Sequence, residues 1–171
     1  SKAVTFTHLD KMMFPEAGFT KGDLIDFYGQ ISKWLLPYLK DRPITLQRYP
    51  DGVKEGAPFF WQKNTPTYYP NWIKRVELPS EAGKKVQYAL VNDERTLLYL
   101  VNQGAITFHV YSSRVKSIER PDFVLFELEP GDAKFSDVIT IAKKIRDVLD
   151  REKIKSFPKT SGKSGVHILT P

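Results

Sequence analysis

The sequence predicts an α+β fold: a mixed, largely antiparallel central sheet flanked by helices. Three observations lead there. Short runs rich in β-branched and aromatic residues, such as ITLQR, VQYALV, AITFHV and DFVLFEL, recur between turn signals. Only three stretches carry helical spacing, so most strands follow one another without a helix between them. The 171 residues contain 41% hydrophobic residues, enough for a real core.

The elements follow in order. Val4 and Phe6 alternate as a short strand and lead into a turn-rich loop. Thr20 is an N-cap with Asp23 three residues on. Leu24, Phe27, Tyr28, Ile31, Leu35, Tyr38 and Leu39 then fall on one helical face, and Pro43 closes the region. ITLQRYPDG is a strand entering a turn, and PFFWQKN a second short strand. Residues 64–75 form a loop rich in proline and aromatic residues, and residues 79–85 a basic turn. VQYALV is a strand. ERTLLYLVNQG is a helix, with Gly104 placed at its C-terminal end. AITFHVYSSR and DFVLFELEP are strands. FSDVITIAKKIRDVLDREK is an amphipathic helix, with Val138, Ile141, Ala142, Ile145, Val148 and Leu149 in one stripe. SFPKT, SGKSG and VHILT close the chain as strand, turn and strand. One domain over residues 1–171 is expected.

Net charge is +6 with a pI near 9.4, which suits an anionic partner such as nucleic acid or nucleotide. There is no cysteine, so disulfides, thiolate metal sites and a cysteine nucleophile are excluded. No apolar run approaches about 18 residues, so no membrane partner and a cytoplasmic location are expected.

Three places carry chemistry-bearing residues. In FELEPGD, Glu127 and Glu129 project from one face of a strand while Val124, Phe126 and Leu128 pack on the other. A hard divalent cation, Mg²⁺ or Mn²⁺, would relieve their repulsion. On the residues alone, two solvated acids at an exposed strand end are the commoner explanation. His109 shares a face with Thr107 and Tyr111, and a satisfied, half-buried histidine is the commoner explanation there too. In KTSGKSGVH, two glycines, three hydroxyls and two lysines fill one turn, an anion cradle or simply a basic hairpin. Its spacing is not that of a Walker A loop, and no helix follows it.

Taken together, LDKMMFPEAGFTKGDLIDFY, RPITLQRYPDG, FFWQKN, FHVYSSR, PDFVLFELEP and SFPKTSGKSGVHILTP resemble, in order, the polymerase (primase-like) domain of DNA ligase D. That domain belongs to the archaeo-eukaryotic primase superfamily. The resemblance runs from about residue 4 to the last residue. It implies a DNA-repair nucleotidyltransferase that adds NTP or dNTP at breaks during non-homologous end joining, by a two-metal mechanism using Mn²⁺ or Mg²⁺. It implies Glu127 and Glu129 as the metal pair and His109 as a contact to the incoming nucleotide. Ser161, Gly162, Lys163 and His167 match the triphosphate segment, and Arg48 and Lys63 the basic strands lining the site. Lys11 and Lys21 match the lysines that hold the 5′-phosphate of the downstream strand. Phe60 or Trp61 matches the ring that stacks on a template base. Residues 79–85 match a loop used in bringing ends together. The implied partners are DNA with a gap or double-strand break bearing a 5′-phosphate, NTP or dNTP, and ligase and Ku-type end-joining proteins. A nucleoid-associated location follows.

Two departures stand out. The pair is Glu-x-Glu where the family has Asp-x-Asp, and the added methylene moves the oxygens by roughly an ångström, a displacement that can cost on the order of 10²-fold in rate. The family's third carboxylate and further triphosphate-gripping basic residues lie on a later strand, beyond Pro171. These departures keep a second function open: a non-catalytic module that binds DNA ends through the 5′-phosphate.

Overall fold

The computed structural model describes residues 4–80, 83–162 and 164–171. These form two compact units, Ser1–Lys116 and Ser117–Pro171.

The first unit begins without a strand at Val4–Phe6. Those residues pair with no neighbour, and Phe6 instead packs on the core. Alternation makes a strand only where a free edge is available to pair with. The loop expected next contains a small antiparallel ribbon, β1 Met12–Phe14 with β2 Phe19–Thr20. Helix α1, Lys21–Leu39, starts at a full capping box: the Asp23 amide donates to Thr20 Oγ1 at 3.2 Å and the Thr20 amide to Asp23 Oδ2 at 2.7 Å. Its inner face carries Leu24, Ile25, Tyr28 and Leu39. Phe27 and Tyr38, expected inside, are exposed, and Ile25 takes an inner position instead. The face is therefore rotated from the one read off the spacing, because α2 meets α1 along the side that carries Ser32, whose hydroxyl donates to Glu94 at 2.5 Å.

β3 Pro43–Arg48 organises the larger sheet. It pairs antiparallel with β4 Phe60–Gln62, with β6 Lys85–Leu90 and with β7 Ala105–Val110, and β6 pairs with β5 Arg75–Pro79. β5 was hidden in the sequence behind the proline-rich segment before it. Glu81 and Ala82 of the basic turn lie outside the described residues. Helix α2, Glu94–Asn102, is capped by Asp93, which accepts from the Thr96 amide at 2.7 Å. It buries Leu97, Leu100 and Val101 completely against Ile44, Leu46, Tyr69, Ile73 and Ala105. Gly104 turns the chain from α2 into β7 with φ +84°; a Cβ there would lie 3.2 Å from the Tyr49 carbonyl, so glycine is required.

The second unit is a three-stranded antiparallel sheet with β10 Val166–Thr170 between β8 Val124–Leu128 and β9 Phe157–Thr160. Helix α3, Phe135–Arg151, sets Val138 and Leu149 against Val166 and Ile168, with Phe126 and Leu128 beside them. Ile141 and Val148 of the expected stripe are about half exposed, so the apolar stripe is wider than the face this sheet covers.

Among the described residues every strand pairing is antiparallel and three α-helices accompany the strands, in line with the largely antiparallel α+β fold expected from the sequence. Among the described residues no helix is long and apolar enough to cross a membrane.

Candidate nucleic-acid interface and acidic pair

The first constellation is a lysine pocket of about 230 Å³ in the first unit, lined by His8, Lys11, Lys21, Pro50 and the chain around Gly104. Backbone bonds bring the two lysines together. A turn closes from the Lys11 amide to the His8 carbonyl at 3.1 Å, and the Lys21 amide donates to the Lys11 carbonyl at 2.7 Å. Lys11 Nζ donates to the Pro50 carbonyl and pairs with Asp51 at 3.2 Å. Lys21 is only 7% exposed, and its ammonium donates to the Thr7 carbonyl at 2.7 Å. Burial, and secondarily the charge of Lys11, hold its pKa below the ordinary lysine value. Among the described residues no carboxylate contacts Lys21.

The second constellation lies on one face of the larger sheet. Trp61 and Thr107 both stand opposite Gln47, and His109 opposite Thr45, so all five side chains share a face. Thr107 donates to Gln47 Oε1 at 3.0 Å and bonds His109 Nε2 at 3.1 Å, which fixes the imidazole. The Trp61 ring stands edge-on to the His109 ring, centroids 4.6 Å apart, and is 50% exposed. Phe60 is on the other face, opposite Arg48, whose guanidinium lies 5.0 Å from its ring. Arg48 donates to the Gln103 carbonyl at 2.8 Å and to Gln62 at 2.6 Å. Arg48 is thus bound into the sheet on the face away from Trp61 and His109, and Lys63 is exposed just past the end of β4.

The third constellation lies in the second unit. Glu127 pairs across the strands with His167, its Oε1 3.5 Å from Nε2. His167 Nδ1 is 3.3 Å from Lys159 Nζ. Glu129, two residues on from Glu127, accepts from Ser164 at 2.9 Å. The turn from β9 to β10 is closed by the Ser161 amide to the Gly165 carbonyl and the Gly165 amide to Ser161 Oγ, both 2.9 Å. Gly162 has φ +95°. Lys163 lies outside the described residues. Gly165 packs so closely on β8 that a Cβ would stand 2.5 Å from the Leu128 carbonyl oxygen and overlap the Glu129 carboxyl. Among the described residues no three acid or histidine side chains converge as a ligand set. The donors present are two hard carboxylates, which fit a partial Mg²⁺ or Mn²⁺ site of the kind completed by substrate phosphates.

Several of these neighbours had no signal in the sequence. His8, Pro50 and Asp51 reach the lysines only through the turn and the ribbon, and Ser164 reaches Glu129 only through the hairpin.

The model of the LigD primase-polymerase domain matches residues 20–171. The chain belongs to the LigD primase-polymerase domain family. It is 35% identical over 167 residues to the bifunctional non-homologous end joining protein LigD of Bacillus subtilis, covering 97% of this chain and 26% of that protein. It is 28% identical to the multifunctional LigD of Mycolicibacterium smegmatis, covering 98% of this chain and 22% of that one. The polymerase domain of Mycobacterium tuberculosis ligase D, solved in complex with DNA, superposes with a TM-score of 0.88 at 30% identity, over 100% of this chain and 62% of that one. The chain therefore spans about a quarter of the full-length LigD proteins it resembles and carries the polymerase-domain fold.

Proposed function

We propose that this LigD-family chain recognises broken or gapped DNA by the 5′-phosphate of the downstream strand and takes part in nucleotide addition there during non-homologous end joining. The observation that carries the reading is the pairing of Lys11 with a buried Lys21 in one pocket. A desolvated ammonium beside a second one, with no carboxylate on it, is costly by itself and is relieved by an anion with several acceptor oxygens. Trp61 then supplies the ring on which a template base stacks, since it shares the open face with His109, the proposed contact to the incoming nucleotide. Arg48 acts by holding β3 and β4 in register rather than by touching nucleotide.

Glu127 and Glu129 are the proposed holders of Mn²⁺ or Mg²⁺, with NTP or dNTP as substrate and the turn at Ser161, Gly162 and Lys163, with His167, as the triphosphate cradle. A bound cation would supply positive charge to offset the negative charge that builds on the transferring phosphoryl group. The residues themselves orient it: His167 braces Glu127, and Ser164 braces Glu129. Ligase and Ku-type proteins are the proposed partners in the nucleoid-associated cytoplasm.

A second reading, an end-binding module without turnover, is favoured by one observation. Both carboxylates are already engaged by neighbours, and no third joins them among the described residues. Primer extension on a gapped template with a 5′-phosphate, in Mn²⁺ and in Mg²⁺, separates the two. Extension abolished by Glu127→Gln supports the enzyme. Phosphate-dependent binding without extension supports the module, and binding indifferent to the 5′-phosphate overturns both.

A further inference from the structure

We infer that His8 is a third member of the lysine pocket and makes its grip on a phosphate monoester proton-dependent. The inference rests on the reading of that pocket as the 5′-phosphate site. His8 lines the same cavity as Lys11 and Lys21, in the turn that its own carbonyl closes with the Lys11 amide. Its backbone is in the left-handed region, φ +52°, a conformation that few residues other than glycine, asparagine, aspartate and histidine adopt readily. The turn is pinned to the start of α1 by the Gly22 amide donating to the Leu9 carbonyl at 2.8 Å, which fixes the backbone from which His8 lines the cavity. Among the described residues no hydrogen bond engages the His8 ring.

The charged groups at the pocket are Lys11 from the same turn, Lys21 from α1, and Asp51, which is paired with Lys11. Asn102 and Gln103, which line the pocket at the end of α2, are neutral. Among the residue types that line the pocket, histidine is the one whose charge ordinarily changes between about pH 5 and 8. Protonated, His8 adds a third positive charge and an N–H donor facing the phosphate oxygens. Neutral, it keeps one N–H and no charge. Binding of the phosphorylated end therefore tightens as pH falls, and bound phosphate in turn favours the protonated ring.

The phosphate monoester also titrates, near pH 6, in the opposing sense. The test therefore compares two proteins on the same DNA. Fluorescence anisotropy at constant ionic strength measures binding of a gapped duplex with a 5′-phosphate and with a 5′-hydroxyl, at pH 5.5, 6.5 and 8, for the unaltered chain and His8→Asn. Asparagine tolerates the left-handed backbone and keeps an N–H donor without the charge. The expected result is a phosphate preference that is similar for the two at pH 8. At pH 5.5 it should be about three- to fivefold larger for the unaltered chain, the scale of a partly solvated charge pair. The chain has three histidines, so the His8 ring is also readily followed by NMR. Its titration midpoint should rise with the phosphorylated duplex and stay put with the hydroxyl one. Equal preferences for both proteins at every pH, or an unmoved His8 midpoint, overturn the inference while leaving the lysine pocket standing. If the unaltered chain has no phosphate preference at any pH, the pocket reading fails and this inference with it.

Discussion

Lys21 carries a cost to the fold that the proposed phosphate ligand would offset. Its ammonium is buried against Thr7, and its pKa is lowered from the ordinary 10.5, first by burial and then by Lys11. The unfolded chain therefore binds more protons than the folded one between that lowered value and 10.5. Lys21's contribution to stability rises with pH across this window, and below it the buried charge is a standing cost. Lys21→Met is expected to leave urea-unfolding stability unchanged or raise it by about 1 kcal/mol, while abolishing preference for a 5′-phosphate in anisotropy. A loss of several kcal/mol would make Lys21 a structural residue instead. The aromatic pair gives a second prediction at this scale. Trp61→Ala removes an exposed ring beside His109 and should weaken gapped-DNA binding by about 1–3 kcal/mol with little change in melting temperature. Phe60→Ala removes the ring beneath Arg48 on the other face and should lower melting temperature more than affinity.

At the scale of elements, the hairpin that joins β9 to β10 makes its tightest approach to the acidic strand at one glycine. A methyl at Gly165 meets the Leu128 carbonyl, which cannot yield without moving β8, and the end of the Glu129 side chain, which must swing aside. Gly165→Ala is expected to destabilise the chain by about 1–3 kcal/mol, the usual cost of overpacking, and to displace Glu129 from Ser164. A melt gives the first effect and the Glu129 side-chain resonance the second. An unchanged melt would show that the hairpin relaxes freely. Gly165 was legible in the sequence only as a turn residue, because its partner Glu129 is 36 positions away in the chain. What was legible was local. Thr20 and Asp23 announced α1 through their own mutual bonds, and the alternation in VHILT announced β10 and the outward side of His167. What was not legible depended on distant neighbours. Val4–Phe6 alternates like a strand but has no edge to join, Arg75–Pro79 becomes one because β6 offers an edge, and Phe60 and Trp61 could be told apart only by the register against Gln47 and Arg48.

At the scale of the whole molecule, the proposed DNA-end contacts and the proposed metal pair fall in different compact units. Lys11, Lys21, Trp61 and His109 belong to the first, and Glu127, Glu129 and the 159–167 turn to the second. Each set is held by bonds within its own unit: the turn and α1 start for the lysines, the β3–β4–β7 register for the rings, the β8–β10 pairing for the acids. Loss of one set should therefore leave the other intact. The double variant Glu127→Gln, Glu129→Gln removes two negative charges from a chain of net charge +6, so it should bind DNA slightly more tightly at low salt. It should keep its full preference for a 5′-phosphate, since no charge in the lysine pocket changes, and it should lose any dependence of nucleotide binding or primer extension on Mn²⁺. Lys11→Ala should do the reverse, retaining the Mn²⁺ response while losing the phosphate preference. Anisotropy with phosphorylated and hydroxyl gaps, repeated over a salt series with and without Mn²⁺, reads both. If the acid pair's removal erased phosphate preference as well, the pocket would not be an autonomous anion site, and the lysines would have to be reassigned to the scaffold.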